Sequence, residues 1–140
     1  MVGKTSSLLT SPYVVIPGFA DFVSVRNTGA AWGMFSGNGI FLFIIALIVF
    51  ILLILFFKSI TEGYFERALG IFMVFSGIIG NSLDRLFRGS VVDFIDLHIH
   101  NFYHWPAFNI ADSSICIGVI IIIISSLLRK SQLQLDKTKK

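Results

Sequence analysis

Apolar side chains along this chain fall into three long runs separated by short polar segments. Gly39 to Phe57 reads GIFLFIIALIVFILLILFF, nineteen residues without charge or proline. At about 1.5 Å per residue it covers roughly 28 Å, close to a bilayer hydrocarbon core of about 30 Å. A helix in a soluble fold of this size rarely stays apolar on every face, so the run predicts a membrane span stopped by Lys58. A second run, Ala68 to Leu83 (ALGIFMVFSGIIGNSL), carries Gly70, Gly77, Gly80 and Asn81. A third, Ala107 to Leu128, has ICIGVIIIIISSLL as its body and Arg129-Lys130 as its stop. The pattern predicts an α-helical integral membrane protein with transmembrane helices over residues 39–57, 68–83 and 107–128.

Residues 1–38 have a different period. In ADFVSVRNTGAAWGMF, Phe22, Ser24 and Arg26 alternate with Val23 and Val25, which predicts a strand. Asn27-Thr28-Gly29 then reads as a turn, followed by the small residues Ala30, Ala31 and Gly33. Two readings stand side by side. One is a hairpin lying on the membrane, with Trp32 and Phe35 as interface anchors. The other is a shallow cradle whose small side chains admit a substrate backbone.

Composition and charge sharpen the setting. Hydrophobic types make up 55% of the 140 residues and charged types 14%, with a mean hydropathy of +0.84. A soluble domain carries about 25% charged residues, so this chain cannot coat a water-facing sphere, and disorder is excluded for the same reason. The single cysteine, Cys116, excludes an internal disulfide and a cysteine-only zinc site. Seven Lys and Arg lie in the 58–67 loop and after Leu128, against four in residues 1–38 and 84–106. The positive-inside rule then puts the 58–67 loop and a basic 129–140 tail in the cytoplasm. That tail reads as an anchor for anionic membrane lipid rather than a nucleic-acid site. Residues 1–38 and 84–106 face outward. Met1 is thereby left outside with no signal peptide to carry it there. A further N-terminal helix, and four spans in the working protein, are expected.

The outward segments hold the candidate chemistry. Four of the eight acids, Asp84, Asp93, Asp96 and Asp112, fall around the outer ends of the second and third spans. Ionisable groups at membrane depth are costly, so such a cluster marks a functional site by default. Asp96, and Asp84 beside Arg85, are adequately explained as loop-solvating acids. Gly77, Asn81 and Arg85 are spaced i, i+4, i+8, with Arg88 following at i+11, so one helix face carries them toward the bundle interior. Asp112 could serve only as a first-turn acid, with Asn109 as the helix N-cap. Capping does not explain Asp93, at the end of the preceding helix on the same membrane side. Two close carboxylates share one proton, so one can activate a water while the other donates to a carbonyl.

Three rival chemistries are open to the same residues. His98, His100 and His104 form H-x-H-x3-H, which could serve a zinc-dependent membrane hydrolase, although the spacing matches no strong zinc motif. Cys116 would need its thiolate stabilised among isoleucines. A pore or scaffold fits the composition but leaves the acids without a role. The reading adopted requires no metal and no cofactor.

Three blocks together, VRNTGAAWG, GNSLDRLFRGSVVDFIDL and FNIADSSICIG, resemble the bacterial lipoprotein signal peptidase family (signal peptidase II) from Tyr13 to about Leu128. The resemblance implies an inner-membrane aspartic endopeptidase that removes signal peptides from prolipoproteins, cutting before a diacylglyceryl-modified cysteine. It implies Asp93 and Asp112 as the catalytic pair. Asn81 and Asn109 would hydrogen-bond near the pair, and Arg85 would hold the outer loops. Asn27 and the residues after it, Gly29 included, would shape the cradle, and Gly77 matches a further motif position. The family fold has four transmembrane helices, a small extracytoplasmic β-cradle and a surface helix. Family members also carry a DQxxK-like motif on the first helix; here only Lys4 stands near where that helix would end. A monomer needing only membrane lipid and its prolipoprotein substrate is expected.

Overall fold

The computed structural model describes residues 11–100 and 102–138; Lys4 and the last two lysines of the tail lie outside them. The first apolar run forms α1, Gly39–Leu55, and breaks at Phe56 into a short α2, Phe57–Thr61. Glu62 and Gly63 then adopt positive φ and turn the chain. The second run lies inside a longer helix, α3, Phe65–Arg88, closed by Gly89 at φ 71° with its N–H on Arg85 O. Hydropathy marks only the lipid-compatible stretch, whereas a helix continues until a cap stops it. The third run forms α4, Ile110–Thr138. This helix begins three residues later than the pattern predicts, at a cap on Asn109. It also continues past Arg129-Lys130, because no glycine or proline follows to end it. The first part of the basic tail is therefore helix.

α3 and α4 pack closely because small residues face each other. A Cβ on Gly70 would stand 2.7 Å from Gly118 O, and one on Gly77 would collide with Ala111 O. Ser114 Oγ donates to Met73 O at 2.8 Å across the same seam. Ile71, Val74 and Ile78 are the buried side chains of α3 there. At the end of the pair remote from Asn109, Arg67 is only 4% exposed. Its Nε donates to Ser125 Oγ (3.1 Å) and its Nη1 pairs with Glu62 (2.8 Å). Ser125 Oγ donates onward to Glu66, which also pairs with Arg129 at 3.0 Å. α1 rests on α3 through Phe50 and Phe75, ring centroids 4.6 Å apart, and buries no residue of its own.

Large apolar side chains are exposed all along α1 and α4, among them Ile48, Ile51, Ile120 and Ile124. A water-facing monomer rarely leaves so extensive an apolar surface open, whereas lipid covers it at no cost. Two helices, α3 and Ile110–Gln132 within α4, are long and apolar enough to cross a membrane, and α1 is an apolar helix of 17 residues.

Over one end of the helices lies a four-stranded antiparallel sheet in the order β1-β2-β3-β4, with β1 Tyr13–Ile16, β2 Ala20–Asn27, β3 Val91–Ile99 and β4 Tyr103–His104. β2 is the strand that alternation marks. β3 departs from the sequence pattern, which puts Asp93 at the end of the preceding helix; Gly89 closes α3, and the chain enters the sheet at Val91. Asn27 lies opposite Val91, Val25 opposite Asp93 and Asp21 opposite Asp96, with a bulge between Phe22 and Val25. Beyond β4 the chain returns to β3 at Phe108, which bridges Ile95 and delivers Asn109 to the start of α4.

Candidate active site

Asp93 sits on β3 at 2% exposure. Both of its oxygens accept amide donors: Oδ2 from Asn27 Nδ2 at 2.8 Å and Oδ1 from Asn109 Nδ2 at 2.9 Å. The orientation of each amide is fixed by its other half. Asn27 Oδ1 accepts the Gly29 N–H at 2.9 Å, which leaves Nδ2 to face the carboxylate. Asn109 Oδ1 accepts the backbone N–H groups of Ala111 (2.7 Å) and Asp112 (3.1 Å), capping α4 and leaving its Nδ2 for Asp93.

Asp112 belongs to the same cap. Its Oδ2 accepts the Asn109 backbone N–H at 3.1 Å, closing a reciprocal capping box. Its Oδ1 accepts Asn81 Nδ2 at 2.7 Å, and Asn81 Oδ1 in turn accepts Asn109 Nδ2 at 3.1 Å. The capping reading of Asp112 and Asn109 is therefore correct, yet the same two residues also reach Asp93. Two carboxylates from different elements are tied by two amides: backbone N–H groups orient Asn109, and the Asn109 Nδ2 in turn orients Asn81.

Burial pushes the Asp93 carboxyl above the usual carboxylate range. The Asn27 and Asn109 donors pull the other way, the neighbouring Asp112 charge adds to the rise, and Arg85 offsets part of it. Arg85 Nη2 donates to Gly29 O at 2.9 Å, so the helix stripe holds the turn that orients Asn27. Gly29 itself cannot carry a side chain, because a Cβ there would lie 2.6 Å from Met34 O. Gly77 lies where α3 meets Ala111, one turn of helix below Asn81.

The structure thus brings together Asp93, Asp112, Asn27, Gly29, Asn81, Arg85 and Asn109, with Gly77 in the supporting seam. Arg88 does not join them; it is the last residue of α3, exposed, and pairs with Asp84 at 3.1 Å. Asp96 is no loop-solvating acid: its side chain is largely buried against His98 and His104. His100 lies apart from those two histidines, its ring against Gly18. Cys116 is exposed on α4 rather than enclosed by isoleucines. Sequence reasoning missed the Thr28–Ser36 hydroxyl pair (2.9 Å), which closes the loop beyond Asn27. Two hydroxyls flanking GAAWG are its only trace in the sequence.

The family model described as signal peptidase (SPase) II matches residues 2–128. This chain belongs to the signal peptidase II family. The lipoprotein signal peptidase of Staphylococcus aureus is 44% identical over 136 residues, spanning 97% of this chain and 82% of that protein. The same-named protein of Staphylococcus aureus strain JH9 is 46% identical over 123 residues, spanning 88% and 75%. A bacterial membrane enzyme determined by the in meso method superposes with a TM-score of 0.78 at 44% identity, over 89% of this chain and 75% of that one. A second such enzyme gives 0.72 at 45% identity, over 85% and 76%. This signal peptidase II family member is thus a membrane protein with a small sheet over its helices.

Proposed function

We propose that Asp93 and Asp112 are the catalytic pair of an aspartic endopeptidase acting at the outer face of the bacterial inner membrane. Family membership makes the chain a peptidase that removes signal peptides from prolipoproteins. The observation that carries the aspartic assignment is the Asp93–Asn109–Asn81–Asp112 hydrogen-bond chain. Asp93, desolvated and raised, holds the proton the pair shares and gives it to the scissile carbonyl. Asp112 takes a proton from the attacking water. Asn27, Asn81 and Asn109 keep the carboxyl groups in place, and Arg85 fixes the cradle turn.

In this reading α1 with α2, α3 and α4 are three spans, the sheet is extracytoplasmic and the C-terminus is cytoplasmic, a topology the lysine and arginine distribution supports. A site at the outer end of the α3–α4 seam suits a substrate whose diacylglyceryl anchor stays in lipid, so delivery is lateral to a monomer. The zinc hydrolase reading loses ground because, among the described residues, no hydrogen bond joins His98 or His104 to Asp93 or Asp112. Asp93→Asn and Asp112→Asn are each expected to insert normally, to lower cleavage by roughly 10²–10⁴-fold and to accumulate uncut prolipoprotein. Normal processing by either variant refutes the assignment.

A further inference from the structure

The cradle carries a second polar cluster, outside the pair and its amides. Asp96 and His98 are two residues apart on β3 and so share a face, while antiparallel register sets His104 of β4 directly opposite His98. His104 Nδ1 lies 3.1 Å from Asp96 Oδ2, and His98 Nδ1 lies 4.0 Å from the same oxygen. The two imidazoles stack with centroids 4.8 Å apart. One ligand atom from each of the three residues falls within 4.8 Å of the others.

Two further observations point to a cation. The His98 side chain is 8% exposed, and its Nδ1, facing Asp96, has no hydrogen-bond partner among the described residues. A buried imidazole nitrogen without a partner is costly, and a metal ion would satisfy its lone pair. Asp21 lies directly opposite Asp96 on β2, and its Oδ1 is likewise buried and without a partner among the described residues. Like charges paired across a sheet destabilise it unless a cation stands near both.

We propose that Asp96, His98 and His104 bind a divalent transition ion of the zinc class on the cradle, with the Asp21 carboxylate completing the charge balance. Two imidazoles and a carboxylate are the donor set such an ion prefers, and legs of about 2.0–2.2 Å space its ligands roughly 3.4 Å apart. The three ligand atoms, spread over 4.8 Å, must draw together by about 1.4 Å, which side-chain rotation of the exposed His104 can supply. His104, 56% exposed, gives the ion its route in. The ion would clamp β4 to β3, and with them the Trp105–Phe108 return that leads to Asn109. It takes no part in peptide cleavage.

The test uses the full purified chain in detergent, stripped with chelator and titrated with Co²⁺ while visible d–d absorption is followed, then back-titrated with Zn²⁺. One equivalent of Co²⁺ should bind and be displaced by Zn²⁺. His104→Ala and Asp96→Asn should each weaken binding at least tenfold, and His100→Ala should bind as the unaltered chain does. The proposal is overturned if no saturable single equivalent binds, if either ligand variant binds as tightly as the unaltered chain, or if His100→Ala weakens binding equally.

Discussion

Asn109 performs two tasks that substitution can separate. Its Oδ1 caps α4, and its Nδ2 donates to Asp93 and Asn81. Serine caps about as well as asparagine but has no amide donor, whereas alanine does neither. Asn109→Ser should therefore keep thermal stability near that of the parent chain, and Asn109→Ala should lose about 1 kcal/mol. Both variants lose one donor to a carboxylate that water cannot easily reach, a bond worth about 1.5–3 kcal/mol to the charged form. That donor lowers the Asp93 value, so its removal raises a carboxyl that burial has already raised. Asp93 holds the shared proton in the proposed mechanism, so the alkaline limb of kcat/KM against pH should move to higher pH in both variants. The limb belongs to the coupled pair rather than to one residue. The assay is cleavage of a diacylglyceryl-modified peptide across a pH series, with thermal unfolding measured in the same detergent. An Asn109→Ser profile that superimposes on the parent, or moves to lower pH, refutes the reasoning.

Other substitutions probe the surrounding structure. Gly77→Ala drives a methyl into Ala111 O and the neighbouring Ile115, and should cost about 1–3 kcal/mol in thermal unfolding; unchanged stability would show that the α3–α4 seam is loose. Arg85→Lys keeps the charge but cannot reproduce the guanidinium contacts to Gly29 O and Asn81 O, so kcat/KM in the peptide assay should fall by about tenfold. Cys116→Ser, or alkylation of the parent chain, should leave cleavage unchanged, because the thiol is on the exposed side of α4. Loss of activity on alkylation would revive the thiol chemistry.

Much of the architecture is carried by local pattern, and that part is legible. The apolar runs locate α1, α3 and α4, and a spacing of four places Asn81 and Arg85 where they meet Asp112 and Gly29. What escapes is non-local. β3 pairs with a strand more than sixty residues earlier, and the Asn27–Asp93 bond spans 66 positions, a separation no window along the chain can sense. Its residues also read ambiguously, since SVVDFIDL mixes apolar and acidic types without strict alternation. Helix ends escape for another reason. Charged residues such as Glu66, Arg67, Arg129 and Lys130 end an apolar run but not a helix, whose backbone stays bonded beneath them. The burial of Arg67 depends in part on Ser125, which meets it from 58 positions further along the chain.

The polar knot around Arg67 gives this end of the molecule leverage over the other. About 21 Å of helix separates Arg67 from Asn81, and backbone-to-backbone contact at Gly70, Gly77 and Gly118 leaves little slack between. A tilt of about 5° at the knot would swing the Asn81 amide by roughly 2 Å, and displacements near 1 Å can cost a hundredfold in rate. Mutations or lipids that loosen Glu66 or Ser125 at this end would therefore register as lost turnover at the other, without touching any residue there.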